Sequence, residues 1–261
     1  MQVEQDTLLS IQALTKSYDK KTNALDCVSL KVERGAFVSI IGSSGAGKST
    51  LLRCVNRLVE PTAGSITFDG QEICGLRGRQ LRHVRRRISM VFQHYNLVNR
   101  ATAIENVLQG RLGYKNSVAG SLGLFSEEEK GHAFKLLEGI GLTEYAHTRV
   151  DQLSGGQKQR VGVARALVQD PLLILADEPI SSLDPRSSHS IMDLLRWAVD
   201  ELGVSCLVSL HQVEYALEYS DYIIGLAQGK LCCSGTPSTF DTSTLDDIYK
   251  AGQCSECNIS S

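Results

Sequence analysis

The chain has 261 residues, which is long enough for one large domain with a full hydrophobic core. Its net charge of −2 gives no sequence-wide basic field, and this argues against a protein that binds nucleic acid or anionic lipid through overall charge. No window approaches the roughly 18 apolar residues of a membrane-spanning helix, and the N-terminus lacks a signal-peptide pattern, so we expect a chain that is soluble or docked on a membrane from the cytosol.

The first third of the chain predicts a small antiparallel sheet. Short apolar-rich runs at residues 8–14 and 24–32 are typical of strands, and residues 65–73 alternate around Asp69-Gly70. An Asp-Gly pair between alternating segments is a strong signal for a two-residue hairpin turn.

A glycine-rich motif, residues 42–49, stands between the apolar run at residues 37–41 and a helical pattern that begins at Thr50. It matches the P-loop, in which backbone N–H groups surround nucleotide phosphates, Lys48 adds a positive charge and the Ser49 hydroxyl reaches a magnesium ion. The predicted nucleotide-binding residues of this motif are Gly42, Ser43, Ser44, Gly45, Ala46, Gly47, Lys48, Ser49 and Thr50.

Residues 77–87 form the one strongly basic stretch, with six arginines and His83. A single-strand nucleic-acid site would interleave aromatic residues, and none occurs before Phe92. We therefore interpret the stretch as the solvated face of a helix, which could contact lipid headgroups or a membrane partner, and we expect no nucleic-acid partner.

The pattern of residues 94–165 predicts an inserted helical segment. Thr102 with Glu105, and Ser126 with Glu129, each fit a capping box ahead of helical apolar spacing. The glycine-rich run at residues 120–125 is interpreted as a flexible surface loop.

A second anion site is predicted at residues 153–157, where a glycine-rich turn opens a helical pattern. The first turn of such a helix exposes N–H donors and carries partial positive charge. Two separate phosphate-binding elements suggest a nucleotide that is held from both ends. The donors at this second site are predicted to come from Ser154, Gly155, Gly156 and Gln157.

The apolar runs at residues 172–176 and 206–210 are typical of strands covered on both faces. Between them, Asp184 caps and Pro185 opens a predicted helix that runs to Gly203. This strand–helix–strand order predicts a parallel sheet with right-handed crossovers. Two further runs joined through Gln228-Gly229 predict a closing hairpin.

Two carboxylates follow the first of these buried strands, at the sheet edge where ligands bind in open α/β folds. Asp177 can hold magnesium through water, while Glu178 faces the position from which water would attack a γ-phosphate. An acidic pair after a strand would alone be weak evidence for a catalytic site. Downstream of a complete P-loop, the same pair favours one.

The eight cysteines predict reduced thiols that mostly pack in the interior, because the chain is large and has no export signal. Cys254 and Cys257 have metal or redox spacing, but no second pair or nearby histidine completes a tetrahedral site. We interpret them as part of an exposed tail.

Together these motifs resemble those of the ATP-binding cassette (ABC) ATPases, whose signature motif residues 153–157 match. The resemblance extends from Tyr18 to about Tyr249 and implies an α/β P-loop NTPase core, a mainly parallel sheet flanked by helices, with an N-terminal antiparallel β subdomain and an inserted α-helical subdomain. The implied single domain, residues 1–261, divides into a nucleotide-binding core (8–93 and 166–240), a helical signature subdomain (94–165) and a C-terminal tail (241–261).

The resemblance also implies roles for single residues. Tyr18 matches the adenine-stacking position, and Gln93 matches the glutamine that senses magnesium and faces the transporter. Asp184 belongs to the loop that crosses the dimer interface, and His211 matches the histidine that contacts the γ-phosphate. Alone, such a tyrosine or histidine would more often be structural, and only position relative to the two glycine motifs favours these roles. The implied catalytic set is Glu178, His211, Gln93 and Lys48, and the implied Mg²⁺ set is Ser49, Gln93 and Asp177.

The implied cofactors are ATP and Mg²⁺, and the implied partners follow from the motif count. With one P-loop and one signature, the chain needs a second copy of itself in a head-to-tail homodimer. The family also implies two integral-membrane permease subunits, an extracytoplasmic solute-binding protein that acts indirectly, and a peripheral location at the cytoplasmic face of the inner membrane.

Among ABC ATPases the chain looks like the detached ATPase subunit of a bacterial importer, since it has no long coiled-coil insertion, tandem cassette or fused membrane helices. Ile180 after Pro179, and Gln212-Val213 after His211, resemble the phosphonate importer ATPases most. Phosphite or phosphate importers, and polar amino-acid importers, are the alternatives, and a nucleotide-binding regulatory module without hydrolysis is the alternative of another class.

Overall fold

The computed structural model describes residues 6–19, 22–240 and 248. Its strands are β1 (Thr7–Ser17), β2 (Asn23–Glu33), β3 (Phe37–Ile41), β4 (Ala63–Phe68), β5 (Gln71–Glu72), β6 (Ile88–Val91), β7 (Leu173–Asp177), β8 (Ser205–Leu210), β9 (Tyr222–Ala227) and β10 (Lys230–Gly235). Its α-helices are α1 (Lys48–Val55), α2 (Gly78–Arg87), α3 (Ala103–Leu108), α4 (Ser117–Ser121), α5 (Glu127–Gly139), α6 (Gly155–Leu167), α7 (Pro185–Leu202) and α8 (Val213–Tyr219).

The N-terminal sheet is antiparallel, with strand order β2-β1-β4-β5. The predicted Asp69-Gly70 hairpin is confirmed, and both residues have positive φ angles of 48° and 73°. Two-residue turns of this kind need left-handed backbone at both positions, which Asp tolerates and Gly adopts without cost. Asp69 also pairs with Arg34 and Arg87, so the turn is anchored to two other elements.

The second sheet has six strands in the order β10-β9-β3-β8-β7-β6. Five of them run parallel, and β10 closes the edge by pairing antiparallel with β9 through the predicted Gln228-Gly229 turn. Every residue of β3, β7 and β8 is buried, which explains their continuous apolar sequences. One apolar core fills the space between the two sheets, and another lies between the six-stranded sheet and helices that include α7 and α8.

The helices of the middle segment pack around their own apolar cluster, which includes Val107, Leu137 and Val161. Both predicted capping boxes are confirmed at the starts of α3 and α5, with reciprocal hydrogen bonds between cap and third helical residue. The interpretation of residues 120–125 as a loop is wrong at its start, because Gly120 lies within α4. That short helix forms because the Asn116 side chain caps it by accepting from the Ala119 N–H.

The basic stretch is not simply a solvated face. Arg77 and Arg79 are exposed as expected, but most of the other arginines bind within the chain. The guanidinium groups of Arg82 and Arg86 donate to the Gly113 carbonyl, and that of Arg85 donates to the carbonyls of residues 56 and 57. Long side chains allow these arginines to reach distant carbonyl groups from an otherwise exposed helix. Fewer charges are therefore available to a partner than the sequence suggests.

In residues 6–19, 22–240 and 248, no helix combines the length and hydropathy needed to cross a bilayer. Cys54 and Cys206 are buried, as interior packing requires, whereas Cys27 is exposed. Cys254 and Cys257 lie outside the described residues.

Candidate functional site

The P-loop connects the carboxyl end of β3 to the start of α1 and rests directly on neighbouring backbone. A Cβ atom at Gly42 would lie 2.1 Å from the Leu226 carbonyl oxygen, and one at Gly47 would lie 2.5 Å from the Ala24 carbonyl oxygen. Only glycine permits this approach, so the loop can pack directly on the backbone of β2 and β9. The loop lines a cavity of about 140 Å³ formed by Ala24, Gly45, Ala46, Gly47, Lys48, Ser49, Thr50 and Glu178.

Lys48, the first residue of α1, is only 4% exposed. Its Nζ donates to the carbonyl oxygens of Gly42 at 2.7 Å and Ser43 at 3.0 Å, which fixes the ammonium group beside the loop. Burial lowers the pKa of Lys48, and the nearby carboxylates of Glu178 and Asp177 oppose that effect. The loop therefore holds a desolvated positive charge, which interacts more strongly with an anion than an exposed lysine does.

Ser49 and Asp177 meet across the sheet edge. The Ser49 Oγ donates to Asp177 Oδ1 at 2.7 Å, and the Ser209 Oγ donates to the same oxygen at 3.1 Å. Asp177 is 3% exposed, and Arg53 approaches its other oxygen at 3.6 Å.

A hydroxyl and a carboxylate in contact are hard oxygen ligands of the kind that Mg²⁺ prefers. Across the described ranges, no cluster of three or more His, Cys, Asp or Glu side chains could hold a metal by itself. The donor set of Ser49 and Asp177 fits a magnesium ion, whose other ligands would have to come from outside this pair.

Glu178 occupies an unusual backbone conformation, with a φ angle of 49°. Its N–H donates to Ser209 Oγ at 3.0 Å, which stabilises the sharp turn at the end of β7. Left-handed backbone at a non-glycine residue is costly and persists where surrounding contacts enforce it. The turn directs Asp177 to Ser49 while the neighbouring Glu178 contacts His211, so adjacent carboxylates have different partners.

His211 links Glu178 to the P-loop lysine. Its Nε2 lies 2.5 Å from Glu178 Oε1, and its Nδ1 lies 3.5 Å from Lys48 Nζ. Because an ammonium group can only donate, Nδ1 acts as an acceptor and Nε2 carries the proton that it donates to Glu178. These contacts orient the imidazole between the phosphate cradle and the carboxylate.

Gln93 and Tyr18 are two further predicted site residues of the nucleotide-binding core. Val91 of β6 pairs with Ala176 of β7, so Gln93 leaves the sheet at the same edge as Asp177. Tyr18 follows β1, is 63% exposed, and has Lys16 Nζ at 5.0 Å from its ring centroid. In the part of the chain that the structure describes, no hydrogen bond joins either side chain to the P-loop.

The signature segment begins α6 with a capping box that sequence reasoning missed. The Ser154 Oγ accepts from the Gln157 N–H at 3.3 Å, and the Gln157 Oε1 accepts from the Ser154 N–H at 2.8 Å. The spacing Ser-x-x-Gln was the sequence signal for this box, just as a Thr or Ser followed three residues later by Glu was the signal at α3 and α5. Ser154 remains exposed.

Ser209 was not among the predicted site residues, although it hydrogen-bonds to both Asp177 and Glu178. A polar residue inside an otherwise apolar, fully buried strand was the available signal, because such groups need hydrogen-bond partners.

The signature segment lies beside the start of α7 and not in the P-loop cavity. A Cβ atom at Gly156 would be 2.9 Å from Ser187 Oγ, and Asp184 caps α7 by accepting from the Ser187 N–H at 3.0 Å. None of residues 154–157 is among the described residues that line the P-loop cavity. Within one chain, the two predicted anion sites are therefore separate.

Comparisons with known proteins agree with this arrangement. A family model described as ABC transporter matches residues 25–181. The chain is 53% identical over 243 residues to the phosphonates import ATP-binding protein PhnC 2 of Oceanobacillus iheyensis, covering 93% of this chain and 96% of that protein. It is 49% identical to the phosphonates import ATP-binding protein PhnC of Treponema denticola, covering 91% and 93%.

Solved structures give the same fold. A dimeric structure of a post-hydrolysis state of the ATP-binding cassette MJ0796, bound to ADP and Pi, matches with a TM-score of 0.77 and 36% identity over 88% of this chain and 98% of that one. The structure of cbiO1 from Clostridium perfringens, part of the ABC transporter complex cbiONQ, matches with a TM-score of 0.80 and 29% identity over 92% and 93%. The predicted fold class, a P-loop NTPase core with an added antiparallel sheet, is thereby confirmed.

Proposed function

We propose that this chain, which belongs to the ABC transporter family, is the ATP-hydrolysing subunit of a bacterial importer for phosphonates. The observation that carries the cargo assignment is the 53% identity, over nearly the full length of both chains, to a phosphonates import ATP-binding protein. The ATPase assignment has independent support from the contacts beside the P-loop, where His211 lies between Lys48 and Glu178 and Asp177 accepts from Ser49.

The P-loop residues bind the phosphates of ATP in this proposal. Backbone N–H groups of residues 43–50 and the Lys48 ammonium surround the phosphate chain, while Tyr18 stacks on adenine. A magnesium ion would be held by Ser49, Asp177 and Gln93, and it would neutralise charge on the β- and γ-phosphates.

Glu178 orients the attacking water and accepts its proton, while His211 contacts the γ-phosphate. The contact between the two residues holds the imidazole beside the P-loop lysine. Ser154 and Gly156 of a second copy supply donors to the same phosphate, because this chain's own signature lies outside its P-loop cavity. Two ATP molecules are then enclosed between two head-to-tail copies, with the Asp184 loops at the interface.

Closure and reopening of this dimer would move two integral-membrane permease subunits that the chain docks on at the cytoplasmic face of the membrane. An extracytoplasmic solute-binding protein would deliver the cargo and contact the ATPase only indirectly. The ATPase does not touch the solute, so the cargo assignment depends on relationship to the phosphonate proteins and not on a pocket in this chain.

The test is ATP hydrolysis by the chain reconstituted with its permease subunits and binding protein in proteoliposomes. Methylphosphonate, phosphite, inorganic phosphate and a polar amino acid are added separately. We expect methylphosphonate to give the largest stimulation and to accumulate inside the vesicles. Stimulation by phosphate or the amino acid alone would overturn the cargo assignment, and complete absence of hydrolysis in an intact complex would indicate a regulatory module.

A further inference from the structure

Adjacent cysteines in the edge strand β10 have an irregular backbone. Leu231 pairs with Leu226 and Cys233 pairs with Gly225, so Cys232 is an extra residue in the ladder. Successive side chains of a regular strand point to opposite faces of a sheet. A bulge of one residue breaks that alternation and can bring two successive side chains to one face.

Gly225 of β9 provides the space that the two thiols share. The Sγ atoms of Cys233 and Cys232 lie 2.5 Å and 3.1 Å from the position that a Cβ atom would take at Gly225. Both sulfurs therefore occupy the space above one residue that has no side chain. Ile248 covers the same point, with its Cδ1 at 3.1 Å.

The environment of this pair differs from that of the other interior thiols. Hydrogen bonding from the Cys233 thiol lowers the pKa of Cys232, which favours its thiolate form. Burial instead raises the pKa of Cys54 and of Cys74 to about 11, and it also raises the pKa of Cys206. Cys232 and Cys233 are half-buried on an edge strand.

We propose that Cys232 and Cys233 form a dithiol site that chelates trivalent arsenicals. Two thiols in hydrogen-bond contact suit a pyramidal As(III) centre, which binds two sulfur ligands at close to a right angle, better than a linear two-coordinate metal ion. Soft thiolate ligands also favour a thiophilic centre over the hard cation of the ATP site.

The chemistry is a substitution without electron transfer. Phenylarsine oxide loses its oxygen as water, the two S–H protons go to that water, and two As–S bonds form. Arsenic stays trivalent and neither sulfur is oxidised. The product is a ring closed by As across the two side chains, and its stability comes from the second As–S bond forming within one molecule.

The probe is phenylarsine oxide, titrated into the full-length chain and followed by intact-mass spectrometry and a count of titratable thiols. The background variant is C254S/C257S, which removes the other closely spaced pair. We expect one phenylarsenic group per chain and the loss of two thiols. A small dithiol should reverse the modification, whereas a monothiol at the same thiol concentration should not.

Variants in the same background decide the assignment. Cys232→Ser and Cys233→Ser should each weaken retention about 10²-fold or more, because one As–S bond lacks the chelate advantage. The matched control Cys27→Ser removes an exposed cysteine outside the pair and should leave retention unchanged. ATP binding by each variant reports that the chain is folded.

Retention that survives Cys232→Ser and Cys233→Ser, or a bound arsenical that a monothiol removes as readily as a dithiol, would overturn the proposal. Gly225→Ala provides a second route, since its methyl group would force the sulfurs from their shared space. If folded Gly225→Ala protein retains the arsenical as tightly as the background variant, the geometric argument is wrong.

Discussion

The Nε2 atom of His211 lies 2.5 Å from Oε1 of Glu178, so the residue proposed to contact the γ-phosphate is oriented by the residue proposed to position water. The two residues are 33 positions apart in the chain and meet because β7 and β8 are neighbours in the sheet. A change to the carboxylate therefore tests both roles.

Glu178→Gln should keep this contact, because an amide oxygen also accepts from Nε2, but glutamine cannot take a proton from water. We expect ATP binding to persist and hydrolysis to fall by about 10²- to 10⁴-fold. ATP should then trap a dimer, measured by size-exclusion chromatography beside phosphate release. A monomer with unaltered turnover would rule out the role assigned to Glu178.

Lys48→Ala should remove the desolvated charge from the phosphate cradle. Loss of a charged hydrogen-bond donor at such a site is expected to weaken ATP binding at least about 10-fold. Lys130→Ala is the matched control, since it removes the same charge from α5, a helix that does not line the P-loop cavity. Equal affinities for the two variants, measured by calorimetry, would contradict the proposed cradle.

Ser154→Ala and Ser126→Ala remove equivalent caps from α6 and α5. Each should cost about 1 kcal/mol in the free energy of unfolding, measured with urea. Only Ser154→Ala should also reduce ATP hydrolysis, by about 10²-fold, because only that hydroxyl is proposed to reach phosphate in a second copy. Parallel losses of activity in both variants would mean that the effect of Ser154 is structural.

Gly42→Ala and Gly35→Ala separate steric collision from backbone strain. Gly35 has a φ angle of 65° with open space around it, so alanine there should cost about 1 kcal/mol of stability and leave ATP binding intact. Alanine at Gly42 would collide with the Leu226 carbonyl oxygen, so we expect ATP binding to be lost. Normal ATP affinity of Gly42→Ala would show that the loop does not depend on this close packing.

Asp69→Asn tests whether the Asp69 carboxylate makes a pH-dependent contribution to the free energy of unfolding. Asparagine removes the charge but also tolerates the left-handed turn position. Hydrogen bonds from Arg87 and Arg34 lower the pKa of Asp69 below its ordinary value of 3.8. A carboxyl group with a depressed pKa contributes stability above its unfolded-state pKa and loses it as pH falls through the folded-state pKa. The variant should be about 1 kcal/mol less stable at pH 7, after allowance for solvent screening, and the difference should shrink below pH 4. A difference that is constant with pH would exclude a charge effect.

Much of the fold could be predicted because its signals are local. Continuous apolar runs marked the buried strands, and Thr102 and Ser126 marked helix starts. The P-loop and the acidic pair after β7 were recognisable from spacing alone. The bonds of Arg85 to carbonyl groups nearly 30 residues away were not, since they depend on how α2 packs. The left-handed turn at Glu178 and its hydrogen bond to Ser209 likewise join segments that only the folded sheet brings together.

The signature segment lies outside the P-loop cavity of its own chain, so in the proposed mechanism a lone copy is half of an enzyme. In dilute solution, turnover per molecule would then rise with protein concentration, since two copies must first collide. In the proposed transporter, two permease subunits hold the copies side by side. The effective concentration set by this tethering, and not the bulk protein concentration, then determines how often the two copies meet. The chain would thus consume ATP at a useful rate only where it has been assembled, which protects the cell's nucleotide pool from unassembled subunits.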